Sequence, residues 1–243
     1  MQRPPYSLIF ERNLGAITRA GQMKIKGSCM AVVGLGGIGG IAFELLARAG
    51  VGKFILIDKD RFEPSNLNRQ ILSSTRGLGK GKAGIAAAKG KEINPEVKIK
   101  AYSSELNEKN VNMLKDADFV VDGLDNPISR IILSRAAREY GVPYVFGAAE
   151  YMKGISTVFM PRGKGYEDIF ATSAKGKALD LGLKAKLSTY QSCQSVLGPV
   201  PNLVGCFEAM QAINLILGKR VVKYPEFMHV DMNEKKQIWI GLI

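Results

Sequence analysis

The segment 31–60, AVVGLGGIGGIAFELLARAGVGKFILIDKD, constrains the fold more than any other part of the sequence. A short apolar run is followed at once by Gly34, Gly36 and Gly39, which satisfy the pattern G-x-G-x-x-G. A helical segment comes next, and a second apolar run ends at Asp58. Short, continuous apolar runs rich in β-branched residues are typical of parallel strands buried on both faces. The segment therefore predicts the strand–turn–helix–strand unit of a dinucleotide-binding fold.

The same alternation continues to residue 149 and then changes. A helix is predicted over 82–93, ending at Asn94-Pro95, and is followed by strands at 97–102, 117–126 and 143–148 and by helices near 107–114 and over 128–141. After residue 149, the alternating segments 154–161 and 226–242 predict antiparallel strands, with a helix at 202–218 between them. The sequence thus predicts an α/β fold: a Rossmann-like, doubly wound, mainly parallel sheet continued by antiparallel C-terminal strands.

We predict one domain over 1–243. An N-terminal arm and helix occupy 1–27, a nucleotide-binding half 28–150, and a second half 151–243. The segment 161–195 is rich in Gly, Lys and Ser and weakly periodic, so it is predicted to be a long, mobile and functional loop.

The net charge of +12 is the unusual bulk property. Because Lys and Arg are scattered, a solvated basic surface, an anionic substrate or an acidic protein partner all fit. No recognition-helix or aromatic-basic motif is present, so nucleic acid is not an expected partner. No run approaches the length of a membrane span, and three cysteines without a C-x-x-C pair indicate a reduced, cytoplasmic chain.

The first candidate site residues are those that would hold a nucleotide. Gly34, Gly36 and Gly39 permit a tight turn at a helix N-terminus, where backbone N–H groups approach phosphate oxygens. Asp58 ends the second strand and is placed to accept hydrogen bonds from ribose hydroxyls, and Asp60 follows two residues later.

The residues that follow point away from hydride chemistry. The stretch SNLNRQ contains Asn66 and Arg69 and offers more forked polar donors than a ribose needs; Arg69 suits a pair of phosphate oxygens. Lys82 opens the next helix and supplies a point charge. Asp125 and Asn126 follow another strand, and an acid facing a polyphosphate requires a cation such as Mg²⁺. Together these groups predict a triphosphate site and phosphate displacement.

At this point the sequence resembles a known family, the E1-like adenylating enzymes that include ThiF, MoeB, HesA-like proteins and the adenylation domains of ubiquitin-activating enzymes. GLGGIGG with LIDKD, SNLNRQ, GKGKA, INPEV and DGLDN occur in the family's order and spacing. GQMKIKGSCMAVVGLGGIGG and GCFEAMQAINLILG extend the similarity at each end. The resemblance covers nearly the whole chain.

The resemblance implies ATP- and Mg²⁺-dependent adenylation of a carboxylate with release of pyrophosphate. Asp58 would bind the ribose, and the turn 34–40, including Gly37, the phosphates. Asn66, Arg69 and Lys82 would bind the α- to γ-phosphates, and Asp125 the Mg²⁺. The second half, 151–243, would carry the contacts to substrate and to a second subunit.

The resemblance also implies a homodimer in which an N-terminal arginine enters the partner's ATP site. The family pattern R-x-x-R-Q is partly matched by FERNLGAI, so Arg12 is the candidate, although Asn13 stands where Gln is usual. The two C-x-x-C pairs of zinc-containing members are absent from the sequence, so no zinc is predicted. Cys193 lies where several relatives keep an acylated thiol, and both a covalent role and an unreactive one remain open.

His229, in the apolar stretch EFMHVDM, is interpreted as a packed strand residue, and Cys29 and Cys206 are expected to be buried.

Several functions remain open at the level of the sequence. The carboxylate is predicted to be the C-terminal glycine of a ubiquitin-like sulfur-carrier protein. The alternative is a small-molecule carboxylate in cofactor biosynthesis, such as guanylylpyridinol in iron-hydrogenase cofactor assembly. Less favoured are a tRNA-modifying relative, an NAD-dependent oxidoreductase, which would leave SNLNRQ and GLDN unexplained, and a non-catalytic scaffold, which would be expected to lack Arg69, Lys82 or Asp125.

Overall fold

The computed structural model describes residues 4–189 and 195–243. This part of the chain forms one eight-stranded sheet. The strands are β1 (Cys29–Val33), β2 (Lys53–Ile57), β3 (Lys98–Tyr102), β4 (Phe119–Asp122), β5 (Tyr144–Glu150), β6 (Lys153–Phe159), β7 (Glu226–Asp231) and β8 (Ile238–Leu242).

The order of the strands in the sheet is β3-β2-β1-β4-β5-β6-β7-β8. The five strands from β3 to β5 pair in parallel, whereas β6, β7 and β8 each pair antiparallel with their predecessor. The chain leaves β1 toward β2 on one side and returns to β4 on the other. The carboxyl ends of β1 and β4 therefore form the crevice in which open α/β sheets bind ligands. The predicted fold class is confirmed.

Helices cover both faces of the sheet. They are α1 (Tyr6–Ile9), α2 (Arg19–Gly27), α3 (Gly37–Ala49), α4 (Lys82–Ile93), α5 (Pro127–Glu139), α6 (Tyr166–Ile169), α7 (Leu181–Ser188) and α8 (Pro199–Leu217). On one face α3, α4 and α8 bury Phe43, Ala86 and Ala212 against the sheet. On the other face α5 and α7 bury Ile131 and Leu187. Burial of apolar side chains on both faces of the sheet is the main stabilising term of such a layered domain.

Local sequence determines where the helices α2 and α5 begin. Thr18 caps α2 by accepting the N–H of Gly21 at 3.0 Å. Asn126 caps α5 by accepting the N–H of Ser129 at 2.8 Å, and Pro127 follows at the first helical position. These caps satisfy N–H groups that an α-helix leaves unpaired at its first turn.

Three expectations from the sequence are wrong in detail. The helix near 107–114 is only a 3₁₀ turn at Val111–Leu114. The segment 161–195 is not one long loop, because 161–189 contains α6, a 3₁₀ turn at Thr172–Ala174 and α7. Finally, α8 is long and apolar enough to cross a membrane by length and composition alone, although it packs on α3, β5 and β6 and 44% of its most apolar window is buried.

Candidate functional site

A cleft of about 1420 Å³ opens at the carboxyl ends of β1, β2 and β4. Because parallel strands end at the same edge of the sheet, residues that are far apart in sequence meet there. The cleft is lined by ten of the predicted site residues: Gly34, Gly36, Gly37, Asp58, Asp60, Asn66, Arg69, Lys82, Asp125 and Asn126.

The glycine turn between β1 and α3 forms one wall. Gly34 has φ +87°, and a Cβ there would lie 2.5 Å from the backbone carbon of Gly123. A Cβ on Gly39 would meet the carbonyl oxygen of Gly34. Gly39 therefore packs behind the turn, outside the lining of the cleft. Gly36 is different: the nearest atom to a Cβ there is the Nε2 of Gln70, at 3.7 Å. The start of α3 is thus open to an anion.

Asp58 is fixed between the glycine turn and the next loop. Its Oδ2 accepts the N–H of Leu35 at 2.6 Å, and its Oδ1 accepts the N–H of Asp60 at 2.7 Å. Burial raises the pKa of Asp58, while these two N–H groups oppose that rise. Each carboxylate oxygen retains a lone pair, so the group can still accept a hydrogen bond from a ribose hydroxyl.

Lys82 and Asp60 form a pair that the sequence reading did not anticipate. The Nζ of Lys82 lies 3.2 Å from Oδ2 of Asp60, and the backbone N–H of Lys82 donates to the Asp60 carbonyl at 2.9 Å. The Lys82 side chain is only 7% exposed, whereas that of Asp60 is 53% exposed. Lys82 also begins α4, where the helix dipole disfavours a cation and favours an anion beside it. A phosphate group in the cleft would offset both the burial of the Lys82 ammonium and its unfavourable interaction with the helix dipole.

The loop 64–70 places Arg69 beside the glycine turn. The Cγ of Arg69 lies 3.6 Å from the position of a Cβ on Gly37, and its Nη1 donates to the Ser65 carbonyl at 2.8 Å. Asn202 on α8 holds this loop by donating to the Arg69 carbonyl at 3.1 Å. The guanidinium is therefore positioned at the wall of the cleft, with further N–H donors for a phosphate.

Two amide side chains of the same loop are buried. The Oδ1 of Asn66 accepts the N–H of Glu63 at 3.1 Å, and this hydrogen bond stabilises the 3₁₀ turn Pro64–Asn66. The Oε1 of Gln70 has no hydrogen-bond partner among the described residues. Gln70 also lines the cleft, beside Gly36. A buried polar atom without a partner in a cleft indicates a place that a ligand or water would fill.

Asp125 presents an exposed carboxylate to the cleft. Among the described residues it forms no ion pair, and its Oδ1 accepts a long hydrogen bond from the Nδ2 of Asn126 at 3.5 Å. A single carboxylate facing phosphate oxygens is the environment in which proteins bind Mg²⁺. The donor set therefore fits this ion together with a nucleotide.

Sequence reasoning missed a buried ion pair behind Asp125. Asp122 at the end of β4 lies 3.1 Å from the Nε of Arg130 on α5, and Arg130 lines the cleft. In the sequence, the only indication of this ion pair is Asp122 itself, an acidic residue at the end of the apolar run FVVD.

Arg12 does not reach the cleft of its own chain. It is exposed on a 3₁₀ turn, Glu11–Asn13, and the side chain of Asn13 donates to the Ala49 carbonyl at 3.1 Å. That carbonyl is at the C-terminal end of α3, whereas the cleft is at its N-terminal end, about 20 Å away at 1.5 Å per residue.

The cysteines and the histidine lie apart from this site. Cys193 is outside the described residues. Cys29 is buried as expected, but Cys206 is exposed, which corrects the prediction of a buried thiol. His229 is a packed residue of β7, stacked on Trp239 with ring centroids 5.0 Å apart.

Comparison with known proteins agrees with this architecture. A model of the ThiF family matches residues 10–239. The chain is 34% identical to a SAMP-activating enzyme E1 of Haloferax volcanii, over 81% of this chain and 70% of that one. It is 33% identical to a sulfur carrier protein adenylyltransferase of Thermus thermophilus, over 82% and 72%. The match covers a smaller share of two longer relatives, the probable molybdopterin-synthase adenylyltransferases of Porphyra purpurea (53%) and Gracilaria tenuistipitata var. liui (56%).

Solved structures show the same fold. A crystal structure of E. coli MccB with succinimide superposes with a TM-score of 0.77 at 23% identity, covering 96% of this chain and 70% of that one. The family model covers nearly all of the sequence, and its match includes every residue that lines the cleft. The chain belongs to the ThiF family.

Proposed function

We propose that this protein adenylates a carboxylate at the expense of ATP and releases pyrophosphate. The observation that carries the proposal is the cleft, which assembles an open glycine turn, Arg69, Lys82 and the exposed carboxylate of Asp125 at the carboxyl edge of the sheet. Relatives at 32 to 34% identity are named adenylyltransferases or an activating enzyme, which supports the same chemistry.

In this mechanism a carboxylate oxygen attacks the α-phosphorus of ATP, and the bond to the β-phosphate oxygen breaks. The carboxylate is already a nucleophile, so no side chain has to remove a proton. Arg69 and Lys82 would stabilise the negative charge that grows on the departing pyrophosphate, and Asp58 would hold the ribose. Mg²⁺ bound to Asp125 would supply additional neutralisation of phosphate charge.

The substrate we propose is the C-terminal glycine of a ubiquitin-like sulfur carrier. One relative is named a sulfur carrier protein adenylyltransferase. The cleft extends beyond the nucleotide residues along small residues of β5 and β6, Ala148, Ala149 and Gly154, and is larger than most small-ligand pockets. The net charge of +12 favours an acidic partner.

We also propose a homodimer, with α8 at the interface. Apolar side chains of α8 and β8 form one face, exposed except for the half-buried Phe207: Leu203, Phe207, Met210, Ile238, Ile240 and Leu242. We call this set the α8 face. An apolar face of this kind marks an interaction site more often than a free surface.

The course of α8 explains how Arg12 would act in the partner's cleft. At the N-terminal end of α8, Pro201 lies 3.2 Å from a Cβ position on Gly37, beside the cleft. At its C-terminal end, Leu217 approaches a Cβ position on Gly21 at 3.0 Å, next to the N-terminal arm. A twofold axis that pairs two α8 helices antiparallel would bring each arm to the other subunit's cleft.

The first experiment is ATP–pyrophosphate exchange in the presence of candidate carboxylates. We expect exchange with a sulfur-carrier protein that ends in glycine, and a loss of at least about 100-fold in Lys82→Ala or Asp125→Ala. Lys91→Ala, which alters an exposed lysine at the other end of α4, is the matched control. Exchange supported only by a small-molecule acid would replace the proposed substrate, and exchange unaffected by both substitutions would remove the site assignment.

A mixing experiment tests the shared site. Arg12→Ala and Lys82→Ala subunits are each expected to be inactive, while their mixture regains up to about a quarter of the exchange rate, because half of the subunits pair across types and one site of each such pair is intact. Arg19→Ala, a change of another exposed arginine near the arm, should remain active alone. Absence of recovery in a mixture that demonstrably exchanges subunits would contradict a role for Arg12 in the partner.

A further inference from the structure

The buried ion pair behind Asp125 is the strongest feature that the proposed mechanism leaves unused. Asp122 is fully buried, and the hydroxyl of Tyr144 donates to its Oδ2 at 2.5 Å, the same oxygen that faces Nε of Arg130. Moving both charges out of water costs several kcal/mol per ion, so such a pair adds little net stability. The position of this ion pair is better explained by the backbone groups to which its two side chains are hydrogen-bonded.

The pair holds Leu124, the residue that precedes Asp125. The Oδ1 of Asp122 accepts the N–H of Leu124 at 2.7 Å. The Nη2 of Arg130 donates to the Leu124 carbonyl at 2.6 Å and to the Gly147 carbonyl at 2.9 Å. Both peptide groups that flank Leu124 are therefore fixed, and the loop is tied to β5.

The chain is fixed on the other side of Asp125 as well. Asn126 caps α5 through the N–H of Ser129, which sets its own backbone at the start of the helix. Asp125 thus stands between two anchored neighbours while its carboxylate remains exposed in the cleft. A ligand held in this way is preorganised, because its backbone has no freedom to lose when the metal binds.

We propose that Asp122 and Arg130 are positioning residues that, through Leu124, direct the Asp125 carboxylate toward the metal–nucleotide complex. This inference rests on the proposed function, in which Asp125 binds Mg²⁺. Arginine suits this place because its Nη2 donates to two carbonyl groups while its Nε, fixed in the same plane, lies 3.1 Å from a carboxylate oxygen. Its guanidinium also packs over the ring of Phe146, 5.1 Å from the centroid.

The test compares two arginines of the same helix. Arg130→Lys keeps the positive charge but replaces the planar guanidinium group by an ammonium group. Arg135→Lys is the control, because Arg135 also bonds an acid, Glu167 at 2.6 Å, and a carbonyl, Ala174 at 3.0 Å, but does not line the cleft. Mn²⁺ affinity is measured by electron paramagnetic resonance with a non-hydrolysable ATP analogue, and the Mg²⁺ dependence of exchange is measured alongside.

We expect Arg130→Lys to weaken Mn²⁺ binding by about 10- to 100-fold, the usual effect of losing an outer partner of a metal ligand. Binding of the ATP analogue in EDTA should be unchanged, and Arg135→Lys should change neither quantity. Equal effects of the two substitutions, or unchanged Mn²⁺ affinity in a folded Arg130→Lys, would overturn the inference.

Two further variants separate the possible failures. If Arg130→Lys does not fold, Tyr144→Phe removes only the hydroxyl that donates to Asp122, and it should weaken Mn²⁺ binding less but in the same direction; no change would overturn the inference. Asp125→Ala tests the proposed metal ligand itself. If it leaves Mn²⁺ affinity unchanged, the metal assignment fails. If it weakens binding while Arg130→Lys does not, only the positioning role fails.

Discussion

The glycine turn requires two things of Gly34: a left-handed backbone conformation and the absence of a side chain. Substitutions of glycines can test these two requirements separately. In Gly34→Ala the new Cβ would sit at φ +87° and would lie 2.5 Å from the Gly123 carbon and 2.9 Å from the Leu124 nitrogen. Both neighbours are backbone atoms, so neither can rotate away. A left-handed conformation costs a residue with a side chain about 1–2 kcal/mol. Overpacking a filled space costs about 1–3 kcal/mol more.

The expected loss for Gly34→Ala is therefore about 2–5 kcal/mol, which at about 2 °C per kcal/mol for a chain of this size lowers Tm by about 4–10 °C. Two other glycines serve as controls. Gly79 has φ +78° and no atom within 4 Å of a Cβ, so Gly79→Ala reports the backbone term alone, about 2–4 °C. Gly84 lies within α4 with open space around it, so Gly84→Ala should raise Tm by about 1–2 °C.

The assay is thermal unfolding of the four proteins by differential scanning calorimetry at one pH and without nucleotide. A Tm for Gly34→Ala that is no lower than that of Gly79→Ala would refute the close approach of the turn to Gly123 and Leu124, which follow β4. A Gly79→Ala protein as stable as the parent would refute the assigned cost of the left-handed backbone.

Three further predictions concern other parts of the molecule. Gly36→Ala should weaken ATP binding by at least about 10-fold in calorimetric titration while lowering Tm less than Gly34→Ala, because its Cβ would enter the cleft where phosphates bind. Met210→Asp, on the α8 face, should convert a dimer to a monomer by analytical ultracentrifugation, whereas Met23→Asp, an equally exposed methionine on α2, should not. Burial, with a smaller effect of Asp122, raises the pKa of Glu208 well above the ordinary carboxyl range. The folded protein then keeps a proton that the unfolded chain releases above about pH 4.3, so stability falls as pH rises, and Glu208→Gln should raise Tm at pH 8 but hardly at pH 4.5. Parallel Tm curves from pH 4.5 to 8.5 would contradict the Glu208 prediction.

The sequence predicted best where local signals and sheet topology act together. The predicted helix 82–93 has the observed bounds of α4, because Asn94-Pro95 cannot continue a helix. The fold class and the family are confirmed. The nucleotide residues meet in one cleft because each follows a parallel strand or opens the next helix. Their roles toward ATP, and the single-domain organisation, stay predictions.

The sequence failed where the answer depends on contacts between distant segments. Only Leu187 of α7 is buried. The segment therefore lacks the apolar stripe from which a helix can be predicted. Cys206 was misplaced because polar side chains do not mark the solvent face of α8: Glu208 and Gln211 are buried, whereas Leu203 and Met210 are exposed. The role proposed for Arg130 depends on its hydrogen bonds to the Leu124 and Gly147 carbonyls, and the sequence alone does not show that these two groups lie together.

The glycine turn and Asp58 would serve a dinucleotide as well as ATP, so they do not by themselves select a chemistry. The difference lies in the connection between β2 and α4. That connection places Arg69 beside the glycine turn, held by Asn202 of α8, and delivers Lys82, held by Asp60, to the same cleft. Two cations that line one cleft with Asp125, which forms no ion pair among the described residues, are suited to a leaving pyrophosphate and have no counterpart in hydride transfer. Substitution of these residues should therefore abolish exchange while leaving the affinity for adenosine, which needs only Asp58 and the pocket walls, nearly unchanged.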